Sequence, residues 1–164
     1  MQFIKDNMTD FLEIKKQLHK HCQQYVDDLI QRAQKGIYDA QQEANREQKS
    51  SAGDKFETHR AMMHLQMESF VRRLQVAQEL DQLLNQVPLN TQQKVSLGSL
   101  VITDYGLFFI ALSAPICLIE NQEYTCLSPQ APFYQAMRGL QTGDWIEWAL
   151  PNNDEDEIEI LEIY

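Results

Sequence analysis

Gln48-Lys49-Ser50-Ser51-Ala52-Gly53-Asp54 stands between two long runs of helical pattern and decides how those runs meet. Small polar residues and a glycine mark a break in a helix. Before the break, apolar or small residues recur at Phe11, Ile14, Leu18, Cys22, Val26, Leu29, Ala33, Ile37, Ala40 and Ala44. Steps of three and four put them on one stripe of a helix. After the break a second stripe runs through Phe56, His59, Met63, Met67, Phe70, Leu74, Ala77, Leu80, Leu84 and Val87. Pro88 ends it, because proline lacks the backbone donor and pushes the residue before it out of helical geometry.

Two amphipathic helices joined by one short break are expected to double back and bury their stripes against each other as an antiparallel coiled coil. Residues 1–87 are therefore predicted to form a helical hairpin with its turn at about 48–55. Some 40 residues at roughly 1.5 Å each give an arm on the order of 50–60 Å. An arm of that length suits a protein that reaches into something. The competing arrangement is a dimerisation coiled coil with straight, continuing helices, and the break argues against it. Gly36 is the weak point of the first helix, at about 1 kcal/mol relative to alanine.

After a polar linker at 88–93 the pattern changes to strands. Val95 to Ile102 is rich in aliphatic and β-branched residues around Gly98, and Tyr105 to Leu112 predicts a turn and then a strand. Ile116–Ile119 and Tyr124–Leu127 flank Glu120-Asn121-Gln122-Glu123 as a hairpin. Pro132 to Gly139 predicts a short helix, with proline near its start and glycine at its end. Asp144 to Leu150 and Glu157 to Tyr164 alternate acidic and apolar residues, as half-buried strands do, around a turn at Pro151-Asn152-Asn153-Asp154. Trp145 and Trp148 are expected to anchor the small core. Residues 94–164 thus predict a small antiparallel sheet with one helix packed on it, and the whole chain is α+β.

The 164 residues suffice for one ordinary or two small domains, and an apolar fraction of 43% is globular. No apolar run approaches the roughly 20 residues that span a bilayer, so no membrane partner is expected. Met1 to Asp6 lacks the basic-then-apolar order of a signal peptide. Cys22, Cys117 and Cys126 are too few and scattered for a disulfide framework and form no Cys-x-x-Cys pair, which points to a reducing cytoplasm. The net charge of −10 is uneven: residues 1–86 are near neutral, while residues 87–164 hold only Lys94 and Arg138 against 11 acids. So acidic a half repels a nucleic-acid backbone and suits a protein partner with a basic surface. Solubility alone is the plainer account of it.

No glycine-rich phosphate loop or nucleophile elbow is present. His19 and His21 lie two apart, and His59 and His64 five apart, both poor spacings for a metal on a helix face. Asp54 and Glu57 lie three apart at the predicted turn, where the two carboxylates share a face of a helix start. Such a pair can hold Mg²⁺, a hard cation that takes oxygen ligands. Spacing alone favours the plainer reading, an N-cap with a capping-box partner worth roughly 1 kcal/mol, and the two roles are compatible.

Several motifs resemble the Gre family of bacterial transcription elongation factors, the GreA/GreB transcript-cleavage factors. Val95-Ser96-Leu97-Gly98-Ser99-Leu100-Val101 is similar to the family's opening strand, and Leu127-Ser128, Pro132, Ala136-Met137, Gly139 and Gly143-Asp144 are similar to its central run. Ile158, Ile160, Ile163 and Tyr164 are similar to its closing strand, and Gly53-Asp54-x-x-Glu57 to its hairpin-tip motif. The resemblance implies an FKBP-like C-terminal domain that docks on RNA polymerase, and a monomeric accessory factor rather than an enzyme. The hairpin would enter the polymerase secondary channel, where Asp54 and Glu57 help hold a Mg²⁺ shared with the polymerase and activate the water that cleaves backtracked RNA. Contact with the nascent RNA 3′ end would occur only within that complex. Lys55, Phe56 and Thr58 differ from the family's usual tip residues, and the lysine favours a second expectation, a non-cleaving regulator of the same channel. An FKBP-like prolyl isomerase and a coiled-coil scaffold are further alternatives.

Overall fold

The computed structural model describes residues 2–47, 55–149 and 155–164. Helix α1 (Gln2–Glu47) and helix α2 (Lys55–Leu84) precede six strands and one short helix. The chain gathers into two compact units, one of residues 24–82 and one of residues 1–23 with 83–164. The opening segment of α1 therefore belongs with the strands.

In the unit of residues 24–82 the two helices run antiparallel. Leu29 and Ala33 share a groove with Phe70 and Ala77, while Ala40 and Ala44 share one with Met63 and Met67. Ala33, Ala40 and Ala77 are buried along this seam. Small seam residues let large ones from the facing helix seat between them. Gly36 is the extreme case, since a Cβ there would stand 2.4 Å from Cε1 of Phe70. The helix gives up propensity at Gly36 to admit a ring.

The other unit is built on a six-stranded sheet. Its strands are β1 (Leu100–Thr103), β2 (Leu107–Ile110), β3 (Ala114–Ile119), β4 (Gln122–Leu127), β5 (Trp145–Ala149) and β6 (Glu155–Ile163), with helix α3 (Pro132–Met137) between β4 and β5. The spatial order is β3-β4-β2-β1-β6-β5. All neighbours are antiparallel except β2 and β4, which pair in parallel from Leu107↔Tyr124 to Ile110↔Leu127. The sheet is therefore mixed rather than purely antiparallel. The tight β3–β4 hairpin turns at Glu120 (φ 51°) and Asn121 (φ 64°), the left-handed pair that a two-residue turn demands. Its second strand, not its first, fills the place beside β2, and so β4 runs in the direction of β2.

The first strand is shorter than its sequence predicts. Val95–Ser99 forms a turn instead, with Gly98 at φ +84° donating from its N–H to Ile110 O at 2.7 Å. The Ser99 hydroxyl accepts from Ser96 N at 3.0 Å. A Cβ on Gly98 would lie 2.1 Å from the carbonyl oxygen of Pro88, so this turn and the chain leaving α2 touch backbone to backbone.

Both faces of the central strands are covered, which explains the unbroken apolar run in β2. On one face Val101, Phe108, Ile110, Ile146, Ile158 and Ile160 pack with Phe133, Tyr134 and Met137 of α3. On the other, Leu100, Phe109 and Cys126 are partners across β1, β2 and β4, and Cys22 of α1 meets Cys126 at a sulfur–sulfur distance of 3.6 Å. Cys22 is fully buried there, and Leu18, one turn before it on α1, is fully buried as well. In β6 the register shifts at Ile102/Thr103, with Leu161 as the extra residue, so Ile158, Ile160 and Ile163 all face the α3 side.

The expectation that both tryptophans anchor the core holds for one of them. Trp148 meets the Phe133 ring edge-on with centroids 4.9 Å apart. Trp145 is 55% exposed. Side chains alternate along a strand, and Ile146 takes the inward position, which Trp148 shares and Trp145 cannot.

Candidate functional site

The acid pair sits where α1 gives way to α2. Helix α2 begins at Lys55, which places Glu57 by its backbone in the first turn. Asp54 lies outside the described residues, and with it the expected cap and the separation of the two carboxylates. A carboxylate in a first helical turn is favoured by the unpaired N–H groups and the helix dipole there. The donor set is two hard oxygen groups, the type that Mg²⁺ takes. Among the described residues no group of three His, Cys, Asp or Glu could hold a metal. None of their helices is long and apolar enough to cross a membrane.

Two histidines of α1 hold backbone oxygens. His19 Nε2 lies 3.2 Å from Leu84 O, at the carbonyl end of α2, and His21 Nε2 lies 2.9 Å from Pro115 O. Each imidazole thus ties α1 to a different backbone segment, as their two-residue spacing implies. His64 is exposed.

The fold brings together cysteines that the sequence keeps 104 residues apart. Cys22 Sγ–H donates to Cys126 Sγ, and all three cysteines are free and buried. The hydrogen bond from Cys22 and then burial push the Cys126 thiol far up, and burial followed by the neighbouring Cys126 raises Cys117. Thiolate is the reactive form, so Cys117 and Cys126 are chemically quiet packing groups.

Lys15 is the residue that the sequence conceals. It is 1% exposed, and its ammonium donates to Asn90 O at 2.8 Å and Tyr164 O at 3.0 Å. Burial lowers its pKa to about 8. Beside it Phe11 stacks on the Tyr164 ring with centroids 3.9 Å apart. Lys15 stands four residues after Phe11, three before Leu18 and seven before Cys22, and that spacing is the signal in the sequence that its stem is inward.

An aromatic cluster completes the inventory. Phe133 packs at 4.9 Å from Phe108 and at 6.2 Å from Tyr105, whose own ring is 52% exposed.

No family model matches the sequence, and no curated protein matches it. Among solved structures the chain is similar to a prokaryotic transcription elongation factor GreA/GreB from Nitrosomonas europaea, at 20% identity over 53% of this chain and 78% of that one, with a TM-score of 0.34. It is similar to Gfh1 of Thermus aquaticus at 15% identity over 88% and 95% of the two chains, with a TM-score of 0.34. It is also similar to the GreA factor homolog 1 of Thermus thermophilus, at 14% identity over 85% and 92%, with a TM-score of 0.33. Identities and scores at this level assign neither an activity nor a partner to the chain.

Proposed function

We propose that this chain is a Gre-like accessory factor that binds bacterial RNA polymerase through its secondary channel and stimulates cleavage of backtracked RNA. The observation that carries the reading is Gly53-Asp54-x-x-Glu57 at the one connection between two long antiparallel helices. The acidic strand-rich unit supports it, since an acidic grip suits a basic protein surface and is repelled by bare nucleic acid. The factor acts in the cytoplasm, as a monomer, and brings no self-sufficient catalytic constellation of its own.

In this reading the hairpin delivers Asp54 and Glu57 to the polymerase active centre, and the β unit docks outside. The polymerase owns most of the catalytic parts. A Mg²⁺ held between the two factor carboxylates and the polymerase would stabilise charge on the attacking and leaving oxygens of the phosphodiester. The chain's own residues position: the first turn of α2 fixes where Glu57 leaves the backbone, and the stiffness of two paired helices limits how far it can stray.

Lys55 supports a second reading, a channel-binding regulator that does not cut. An ammonium next to the two acids competes for their charge and weakens a cation site between them. A transcript-cleavage assay on stalled elongation complexes with the cognate polymerase separates the two. Cleavage stimulated by the wild type and lost in Asp54→Ala and Glu57→Ala, with helix content retained, supports the cleavage factor. Competition with a cleavage factor without stimulation supports the regulator. A double variant that cleaves as well as wild type removes the acids from the mechanism.

A further inference from the structure

The sheet is covered unevenly. On the face bearing Leu100, Phe109 and Cys126, α1 reaches β4 through Cys22, while on the same face of β5 and β6 the described residues Trp145, Glu147, Glu157, Glu159 and Leu161 are exposed. Trp145 (55% exposed) and Leu161 (41%) stand there in solvent. Glu159 lies directly across from Trp145, Glu147 directly across from Glu157, and all three glutamates are exposed. From Gly139 to Tyr164 the chain carries eight acids and neither lysine nor arginine.

Two aspects of this face work against the free protein. An indole left half in water forgoes the gain of burying the largest side chain. Like charges directly opposite on neighbouring strands destabilise their pairing. Both costs reverse against a surface that covers the indole and carries opposite charge. An exposed tryptophan flanked by charged residues is also the kind of side chain that concentrates binding energy in protein interfaces.

We propose that the open face of β5–β6, with Trp145 and Leu161 framed by Glu147, Glu157 and Glu159, is a docking surface for a protein surface of lysines and arginines around an apolar centre. It rests on the polymerase reading above and names the face by which the polymerase is gripped. The acidic row excludes nucleic acid and anionic membrane as the occupant, because both carry the same sign of charge. Glu147→Lys is the informative substitution, since it places a lysine opposite Glu157. That change turns a like-charge pair into an opposite pair in the free protein while spoiling the face for a basic partner.

The experiment measures binding of the full chain to immobilised cognate RNA polymerase core enzyme by surface plasmon resonance, at low and moderate salt. The expected result is a Kd raised about tenfold or more by Trp145→Thr and by Glu147→Lys. Salt should weaken the wild type more steeply than Glu147→Lys. The melting temperature of Glu147→Lys should be equal to the wild type or higher by a few degrees, roughly. A merely structural role for Glu147 cannot produce weaker binding with an equal or higher melting temperature. Wild-type binding that both variants retain overturns the docking face and leaves the polymerase reading standing. Absence of wild-type binding overturns both.

Discussion

The Lys15 ammonium donates to the backbone oxygen of Tyr164 at 3.0 Å, joining α1 to the end of β6 across 149 positions of sequence. The same nitrogen reaches Asn90 O in the chain leaving α2. One side chain thereby ties three segments together, beside the stack of Phe11 on Tyr164. A buried ammonium survives only when its donors are used, and two carbonyls use them here.

The lysine sets a pH dependence of stability. Its pKa falls from the ordinary 10.5 to about 8 in the folded protein. Between those values the unfolded chain binds the proton and the folded one releases it, so this group's contribution makes stability rise with pH through that window. Burial raises Tyr124 and Tyr164, which oppose the trend at higher pH. The isolating comparison is therefore wild type against Lys15→Met in urea titrations at pH 7, 8, 9 and 10. Wild type should gain on the order of 1–3 kcal/mol over the variant across the window. Parallel curves would show that Lys15 keeps an ordinary pKa.

Gly36→Ala tests the seat of Phe70. At an open helical position the change would stabilise by about 1 kcal/mol. Here the new methyl must displace the ring, so the melting temperature should stay level or fall. In a Phe70→Ala background the same substitution should recover its stabilising sign. A double-mutant cycle reads the coupling directly, and additive effects would remove the ring from the site.

Gly98→Ala faces a harder obstacle. It requires a left-handed alanine and puts a methyl against the Pro88 carbonyl, which is backbone and cannot swing aside. The loss should reach about 2 kcal/mol or more in urea unfolding. A variant within about 0.5 kcal/mol of wild type would mean that the turn opens without cost.

The β3–β4 turn offers a gain. Glu120 at φ 51° holds a conformation that asparagine tolerates better, and Asn121 at φ 64° one that glycine prefers. Glu120→Asn with Asn121→Gly should stabilise by roughly 0.5–1 kcal/mol. An unchanged denaturation midpoint would show that the hairpin is held by its strands alone.

The elements were legible in the sequence because each obeys a local period. The α1 stripe from Leu18 to Ala44, the hairpin around Glu120-Asn121 and the helix from Pro132 follow from spacing and turn chemistry. The parallel β2–β4 pairing was not legible, because strand order depends on contacts between distant segments that leave no local mark. Lys15 escaped notice for a related reason: its acceptors are backbone oxygens, which every residue carries. Trp145 misled through its size, since composition says that tryptophan anchors cores, and only the phase of β5 relative to Ile146 tells which way it faces. Of the candidate site, the motif and its place before α2 were legible, while the mutual geometry of Asp54 and Glu57 lies outside the described residues.

The opening segment of α1 packs with strands that come last in the chain, and this has a consequence for synthesis. Cys22 leaves the ribosome early, yet its neighbour Cys126 on β4 follows 104 residues later. At the usual 5–20 residues per second that is a wait on the order of ten seconds. For that interval a nascent amphipathic helix shows its apolar side to the cell. Cotranslational chaperones, or early pairing with the helix from Lys55 to Leu84, must bridge the gap before the sheet closes over it.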